Sequence, residues 1–116
     1  MSNKINPEKQ ANSIRFGWLL AGDGNEYQIA RAGFGPRGLK MATLMEEISN
    51  LVKQGGGNAA NTFEKINELF TLALSPFYNE STIQNLIEND QFGWNEYAQM
   101  LNIILGDDLA GEKKSS

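Results

Sequence analysis

The 116-residue chain contains neither cysteine nor histidine. The lack of cysteine excludes disulfide bonds, thiolate metal sites and cysteine nucleophiles. The lack of histidine removes the usual general base at neutral pH and, together with the lack of cysteine, the common zinc ligands. These absences favour a protein that is not an enzyme, and we expect neither a cofactor nor a metal ion.

Long apolar runs and clusters of basic residues are also lacking. No run approaches the roughly 18 to 20 apolar residues that span a bilayer, so we expect no membrane partner. The polar first residues lack the apolar region of a secretory signal, which indicates a protein that stays where it is made. The ten basic residues are scattered and the net charge is −4. Because nucleic-acid binding is usually supported by a basic face, we expect protein partners and no nucleic acid.

The residue pattern predicts a mainly α-helical α+β fold, in which an N-terminal β-hairpin precedes a compact bundle of about four helices. Two apolar-rich stretches within 13–34 flank the turn signal Gly22-Asp23-Gly24-Asn25, whose Gly and Asn residues accept the positive φ of tight hairpins. A short helix at 16–21 is the rival interpretation. Apolar residues at steps of three or four predict the helices, which lie at about 37–54, 59–76, 81–89 and 93–105.

These elements predict one globular domain over 13–106, with its core around the apolar stretch 58–78. The polar segments 1–12 and 107–116 lack any apolar period, and we expect both to be disordered tails. Three glycines, Gly55 to Gly57, break the chain between the first two helices and favour an αα-hairpin there.

A glycine-rich motif, Gly33 to Gly38, matches G-x-G-x-x-G between a predicted strand and a predicted helix. Dinucleotide binding would require a second strand and an acidic residue about 20 positions further on. Residues 54–58 offer neither, and Pro36 removes an N–H group from a loop that would have to donate to phosphate. We interpret the motif as a turn with proline near the start of a helix, and nucleotide binding stays as an alternative.

No catalytic constellation is evident, so the candidate site residues are aromatic. The adjacent acids Glu46 and Glu47 point to different sides of a helix, and Asp23-Gly24-Asn25-Glu26 lacks the ligand spacing of an EF-hand. Aromatic residues gather around the last two predicted helices. These are Phe77, Tyr78, Phe92, Trp94 and Tyr97. Aromatic side chains are favoured anchors at interfaces and are also ordinary core residues, so both interpretations stay open.

The segment from Glu68 to Gly106 resembles the tail assembly chaperones of long-tailed bacteriophages and their prophages. In that family a helix ending in Ala-Leu leads to a short polar–Thr–Ile connection, a short helix and a last amphipathic helix that stops at glycine. The corresponding positions here are Leu72-Ala73-Leu74, Ser81-Thr82-Ile83, Leu86-Ile87 and Tyr97 to Gly106. The hairpin and the Gly/Pro-marked helix start extend the resemblance to roughly 27–106.

The resemblance implies a non-catalytic protein of the host bacterial cytoplasm. It would bind the tape measure protein while tail tube subunits assemble around it, and it would be absent from the finished tail. The family often makes a longer product by ribosomal frameshifting, for which Glu112-Lys113-Lys114 is a candidate site. Self-association stays open. The alternatives are a structural tail or neck component retained in the particle and a small nucleotide-binding domain that uses Gly33–Gly38.

Overall fold

Four helices and a three-stranded sheet form the part of the chain that the computed structural model describes, residues 3–11 and 13–106. The strands are β1 (Asn3–Lys4), β2 (Phe16–Leu20) and β3 (Asn25–Ala30). The helices are α1 (Pro36–Gln54), α2 (Ala59–Leu74), α3 (Glu80–Glu88) and α4 (Trp94–Leu105). The predicted mixed fold, with a hairpin followed by four helices, is confirmed.

The hairpin consists of β2 and β3, which pair antiparallel with Phe16 opposite Ala30 and Leu20 opposite Glu26. The turn between them is fixed locally. The Asp23 carboxylate accepts a hydrogen bond from the Asn25 N–H at 2.9 Å, and Gly24 has the positive φ of 84° that glycine tolerates. The rival short helix at 16–21 is therefore wrong, because the turn chemistry places these residues in an edge strand.

The core lies between one face of this sheet and the helices. Residues Gly17, Leu19, Tyr27 and Ile29 share a face, as the period of two requires, and all four are buried. Helix α4 packs on β2 and β3, α2 packs on β3, and α1 packs on α2. Fully buried helix residues such as Met41, Leu69 and Met100 complete the apolar interior.

The N-terminal segment is part of the fold, and the expected disordered tail over 1–12 is wrong for residues 3–11. Strand β1 pairs parallel with β3, and the Ile5 N–H donates to the Glu26 carbonyl at 2.8 Å. The N–H groups of Glu8 and Lys9 both donate to the Phe77 carbonyl, at 2.7 and 3.0 Å. The segment has no repeating pattern of apolar residues. Its partners, β3 and Phe77, lie far away in the sequence, so its place in the fold could not be predicted from its own residues. The other predicted tail, 107–116, lies outside the described residues.

Helix ends follow local backbone chemistry and differ slightly from the predicted ends. Helix α1 begins with Pro36 as its first residue, and Gly55, with a φ of 77°, ends it. Helix α2 stops at Leu74, two residues before the predicted end, because Pro76 cannot continue it. Helix α4 ends at Leu105, and its C-cap Gly106 takes the left-handed conformation. The Ser81-Thr82-Ile83 segment, which the family resemblance implied to be a connection, lies in the first turn of α3, as the predicted helix over 81–89 requires.

A glutamine side chain occupies the outer edge of the hairpin. The Gln99 side-chain oxygen accepts from the Leu20 N–H at 2.9 Å, and its nitrogen donates to the Leu20 carbonyl at 3.0 Å. The amide thus makes the two hydrogen bonds that a neighbouring strand would make. Helix α4 thereby covers part of the free edge of β2.

Candidate partner-binding groove

The structure divides the five predicted aromatic residues into two groups. Phe77 and Tyr78 follow α2 and are 1% and 0% exposed, and the Phe77 ring packs against Phe16 at a centroid distance of 5.6 Å. The prediction that these two side chains bind a partner is therefore wrong for the folded state. The aromatic-rich stretch after α2 is core, because the connection to α3 passes beneath the N-terminal segment.

Phe92, Trp94 and Tyr97 do come together, beside α2. They line a pocket of about 250 Å³ between α2, the α3–α4 connection and the start of α4. We call this surface the aromatic groove and define it by six residues, which are Phe63, Ile66, Phe70, Phe92, Trp94 and Tyr97.

The floor and the walls of the aromatic groove differ in exposure. On the floor, the rings of Phe70 and Phe92 stack with a centroid distance of 4.3 Å and an interplanar angle of 4°. On the walls, Phe63 and Trp94 meet edge to face at 5.9 Å and are 50% and 55% exposed. Fully burying a large apolar side chain stabilises by about 1.5–3 kcal/mol, so covering these walls would be favourable.

Backbone chemistry at the start of α4 sets the position of the Trp94 wall. Gly93 is the N-cap of α4, and its N–H donates to the Glu96 carboxylate at 2.6 Å. Before it, Asp90 takes the left-handed conformation with a φ of 57°, and the Gln91 N–H donates to the Leu86 carbonyl at 3.0 Å. These contacts fix the α3–α4 connection, and Trp94 becomes the first residue of the helix beside Phe63.

The exposed apolar surface continues past the groove to the end of α1. A second hollow of about 250 Å³ shares Phe63 and Trp94 with the groove and reaches Val52 and the glycine turn Gly55 to Gly57. Val52 is exposed as well. Three large apolar side chains, from α1, α2 and α4, therefore lie in adjoining hollows.

The electrostatic character of the groove is acidic. Asp90 lies in its lining, and residues 66–106 contain five acidic residues and no lysine or arginine. Lys65, the neighbouring cation on α2, lies 3.4 Å from the Glu47 carboxylate of α1. Burial raises the pKa of Tyr97, so this phenol stays neutral at physiological pH. The groove therefore combines an apolar lining with a negative charge, that of Asp90.

The glycine motif has a structural explanation. A Cβ on Gly38 would lie 1.9 Å from the carbonyl oxygen of Gly33, so the start of α1 packs directly on the loop backbone. After α1 the chain enters α2 rather than a second strand, and the βαβ unit of a dinucleotide fold is not formed by 3–11 and 13–106. Between the glycines, Phe34 is 99% exposed.

Within the described ranges, the structure offers neither a metal cluster nor a spanning helix. In 3–11 and 13–106 no group of three or more acidic side chains is placed to hold a metal ion. None of the helices formed by these residues is long and apolar enough to cross a bilayer. The candidate frameshift residues Glu112, Lys113 and Lys114 lie outside the described residues.

No protein-family model, curated protein or solved structure matches this chain. The groove is therefore interpreted from its own geometry. The sequence analysis placed the core around the apolar stretch 58–78, but Phe63 within that stretch is half exposed. Phe63 lies three residues before the buried Ile66, which is the spacing of a buried helix face. Only the position of Trp94, the first residue of α4, shows that Phe63 borders a groove.

Proposed function

We propose that this protein is a phage or prophage tail assembly chaperone, which binds the tape measure protein and tail tube subunits in the host cytoplasm without catalysis. The observation that carries the proposal is the aromatic groove, with two aromatic walls that are half exposed. A tape measure protein is long, helical and apolar along its length. Such a client requires an apolar surface that holds a helix and shields it from water.

The shape of the groove supports helix binding. Its lining comes from α2 and the start of α4, and the exposed apolar surface extends to Val52 at the end of α1. Amphipathic helices bind such grooves through apolar side chains at spacings of three and four residues. Because residues 66–106 carry only negative charges, a helix with lysine or arginine beside its apolar stripe fits best.

The segment that resembles the chaperone family supplies most of the groove. Phe70, Phe92, Trp94 and Tyr97 all lie between Glu68 and Gly106. Helix α2 ends at Leu74, and α4 ends at Leu105 with Gly106 as its C-cap, in line with the family pattern, whereas Ser81-Thr82-Ile83, a connection in that pattern, lies in the first turn of α3. These positions support the proposal, since the groove lies where the resemblance is quoted.

The test is co-expression with the very long tape measure gene expected directly downstream, followed by measurement of its solubility and co-purification. We expect the client to be soluble and to co-purify with this protein. Phe63→Ala and Trp94→Ala should each reduce client capture by roughly tenfold or more, as for central aromatic anchors. Leu20→Ala is the matched control, because Leu20 is also exposed and apolar but lies on the hairpin.

Two results would contradict the proposal. If the client stays insoluble with the unchanged protein, the chaperone function is wrong. If Phe63→Ala, Trp94→Ala and Leu20→Ala all capture the client equally, the groove is not the binding site. Detection of this protein in purified tails by mass spectrometry would instead support a component retained in the particle.

A further inference from the structure

We infer that the aromatic groove also binds a second copy of this chain, which inserts Phe34 from the loop before α1. Phe34 is 99% exposed and stands between Gly33 and Gly35. A fully exposed phenylalanine on a fixed loop is unfavourable in water, whereas the groove on another molecule offers it an apolar lining. The inference concerns the protein alone and does not require a tape measure protein.

The loop that carries Phe34 is anchored at both of its ends. The Ala32 N–H donates to the Ile104 carbonyl at 3.2 Å, which ties the start of the loop to the end of α4. At the other end, Gly38 packs on the Gly33 carbonyl. The loop therefore presents its aromatic side chain from a fixed base, and Leu39 and Leu105 near this end of the molecule are exposed as well.

The loop and the groove lie at opposite ends of α1. Phe34 comes two residues before the helix, and Val52, beside the groove, lies in its last turn. A helix of 19 residues is about 28 Å long at 1.5 Å per residue. Phe34 cannot cover that distance from its anchored loop, so the groove that receives it must belong to another molecule.

The two surfaces have opposite charge. Two cations, Arg37 and Lys40, lie in the first turns of α1, next to the Phe34 loop. The five charged residues of 66–106 are all acidic, and one of them, Asp90, lies in the groove lining. Such complementarity steers association and sets the relative orientation of the two molecules. This charge pattern favours a second copy as the occupant.

The pocket is large enough for the side chain. Its volume is about 250 Å³, and an apolar cavity of about 150 Å³ in another protein is known to bind benzene. One benzyl group therefore fits in the pocket, beside the edge-to-face pair of Phe63 and Trp94. A tape measure helix would compete for the same surface and would release the second copy.

The experiment is sedimentation equilibrium on the purified full chain, with circular dichroism to verify that each variant is folded. The unchanged protein should show a mass that rises above that of the monomer as its concentration increases. Phe34→Ala, which removes the inserted group, and Trp94→Ala, which removes a wall, should each weaken association by at least about tenfold. Leu20→Ala should associate like the unchanged protein.

Mixing the two variants gives the decisive measurement. Phe34→Ala keeps an intact groove and Trp94→Ala keeps an intact Phe34 loop, so an equimolar mixture should form a dimer that neither forms alone. Asp90→Asn tests the charge term, because asparagine tolerates the positive φ of this position. It should weaken association severalfold and reduce its dependence on salt.

The inference is overturned if the unchanged protein stays monomeric up to millimolar concentration, or if Phe34→Ala associates like the unchanged protein. It is also overturned if the mixture forms no dimer. Benzoylphenylalanine at position 34 provides a second measurement. Cross-links to groove peptides of another copy support the inference, and cross-links confined to other surfaces contradict it. Failure here leaves the client test above unaffected, since that test scores capture of a different protein.

Discussion

The Tyr78 hydroxyl accepts a hydrogen bond from the Gln28 N–H at 2.9 Å. The same hydroxyl donates to the Ile5 carbonyl at 2.7 Å. Gln28 belongs to β3 and Ile5 follows β1, so the hydroxyl continues the sheet where the pairing of these strands ends. A side chain from the α2–α3 connection thus joins the N-terminal segment to the hairpin.

Tyr78→Phe should lower the free energy of unfolding by about 1–3 kcal/mol, because a buried N–H group of β3 loses its acceptor. Urea unfolding measures this loss, and amide exchange at Gln28 should become faster. Tyr97→Phe is the matched control, since the Tyr97 hydroxyl makes no hydrogen bond to a described residue. Equal losses in the two variants would contradict a contribution from the two hydrogen bonds of the Tyr78 hydroxyl.

Glu8→Ala should release the N-terminal segment from the start of α3. The Glu8 carboxylate accepts hydrogen bonds from the Asn79 N–H at 2.8 Å and from the Thr82 hydroxyl at 2.9 Å. It therefore caps a helix that is 71 residues away in sequence. Loss of a cap costs about 0.5–2 kcal/mol, and limited proteolysis within 3–11 should become faster. Glu68→Ala, on the exposed side of α2, should change neither measurement.

Gly38→Ala should destabilise the protein by more than about 2 kcal/mol, because the new methyl group would overlap the Gly33 carbonyl and force the loop away from α1. Thermal unfolding measures the effect. Gly33→Ala should stay within about 0.5 kcal/mol, since a Cβ there meets nothing within 4 Å. A small effect at position 38 would contradict the close packing.

Alkaline pH should destabilise the protein through Tyr27. Burial, followed by the Asp23 carboxylate that accepts its hydroxyl at 2.8 Å, raises the pKa of Tyr27 from 10.0 to about 12. The neutral phenol is therefore favoured by folding. Its contribution is complete below pH 10.0 and is lost as pH rises toward about 12, because the unfolded side chain ionises first.

Urea unfolding across this pH range measures the effect of Tyr27. We expect the decline to be shallower in Tyr27→Phe. Burial also raises the pKa of Tyr78 and Tyr97, so part of the decline should remain in this variant. An unchanged slope in the variant would show that Tyr27 does not contribute.

The helices and the hairpin could be predicted because their signals are local. The steps of three and four residues in α1 and the Gly22–Asn25 turn depend on neighbours in sequence. Strand β1 could not be predicted, since its two residues have no pattern and pair with β3, more than twenty positions away. The role of Glu8 as a cap could not be predicted either, because its partners Asn79 and Thr82 are also far away in the sequence.

The candidate site was predictable only in part. Trp94 and Tyr97 were identified as interface candidates and do lie in the groove, whereas Phe77 and Tyr78 had the same aromatic signal and are buried. Composition cannot separate these pairs, because exposure depends on which helix crosses each one. Phe34 was not predicted as a binding residue, because the glycines around it indicated only a turn.

The hydrogen bonds from Gln99 to Leu20 also determine when the edge of β2 becomes protected. The two residues are 79 positions apart. At a synthesis rate of roughly 5–20 residues per second, the ribosome adds Gln99 about 4 to 16 seconds after Leu20. The hairpin residues are synthesised much earlier, so a hairpin that forms on the nascent chain has an unpaired β2 edge during that interval. Slower translation between the two positions lengthens the period in which another strand can pair with that edge.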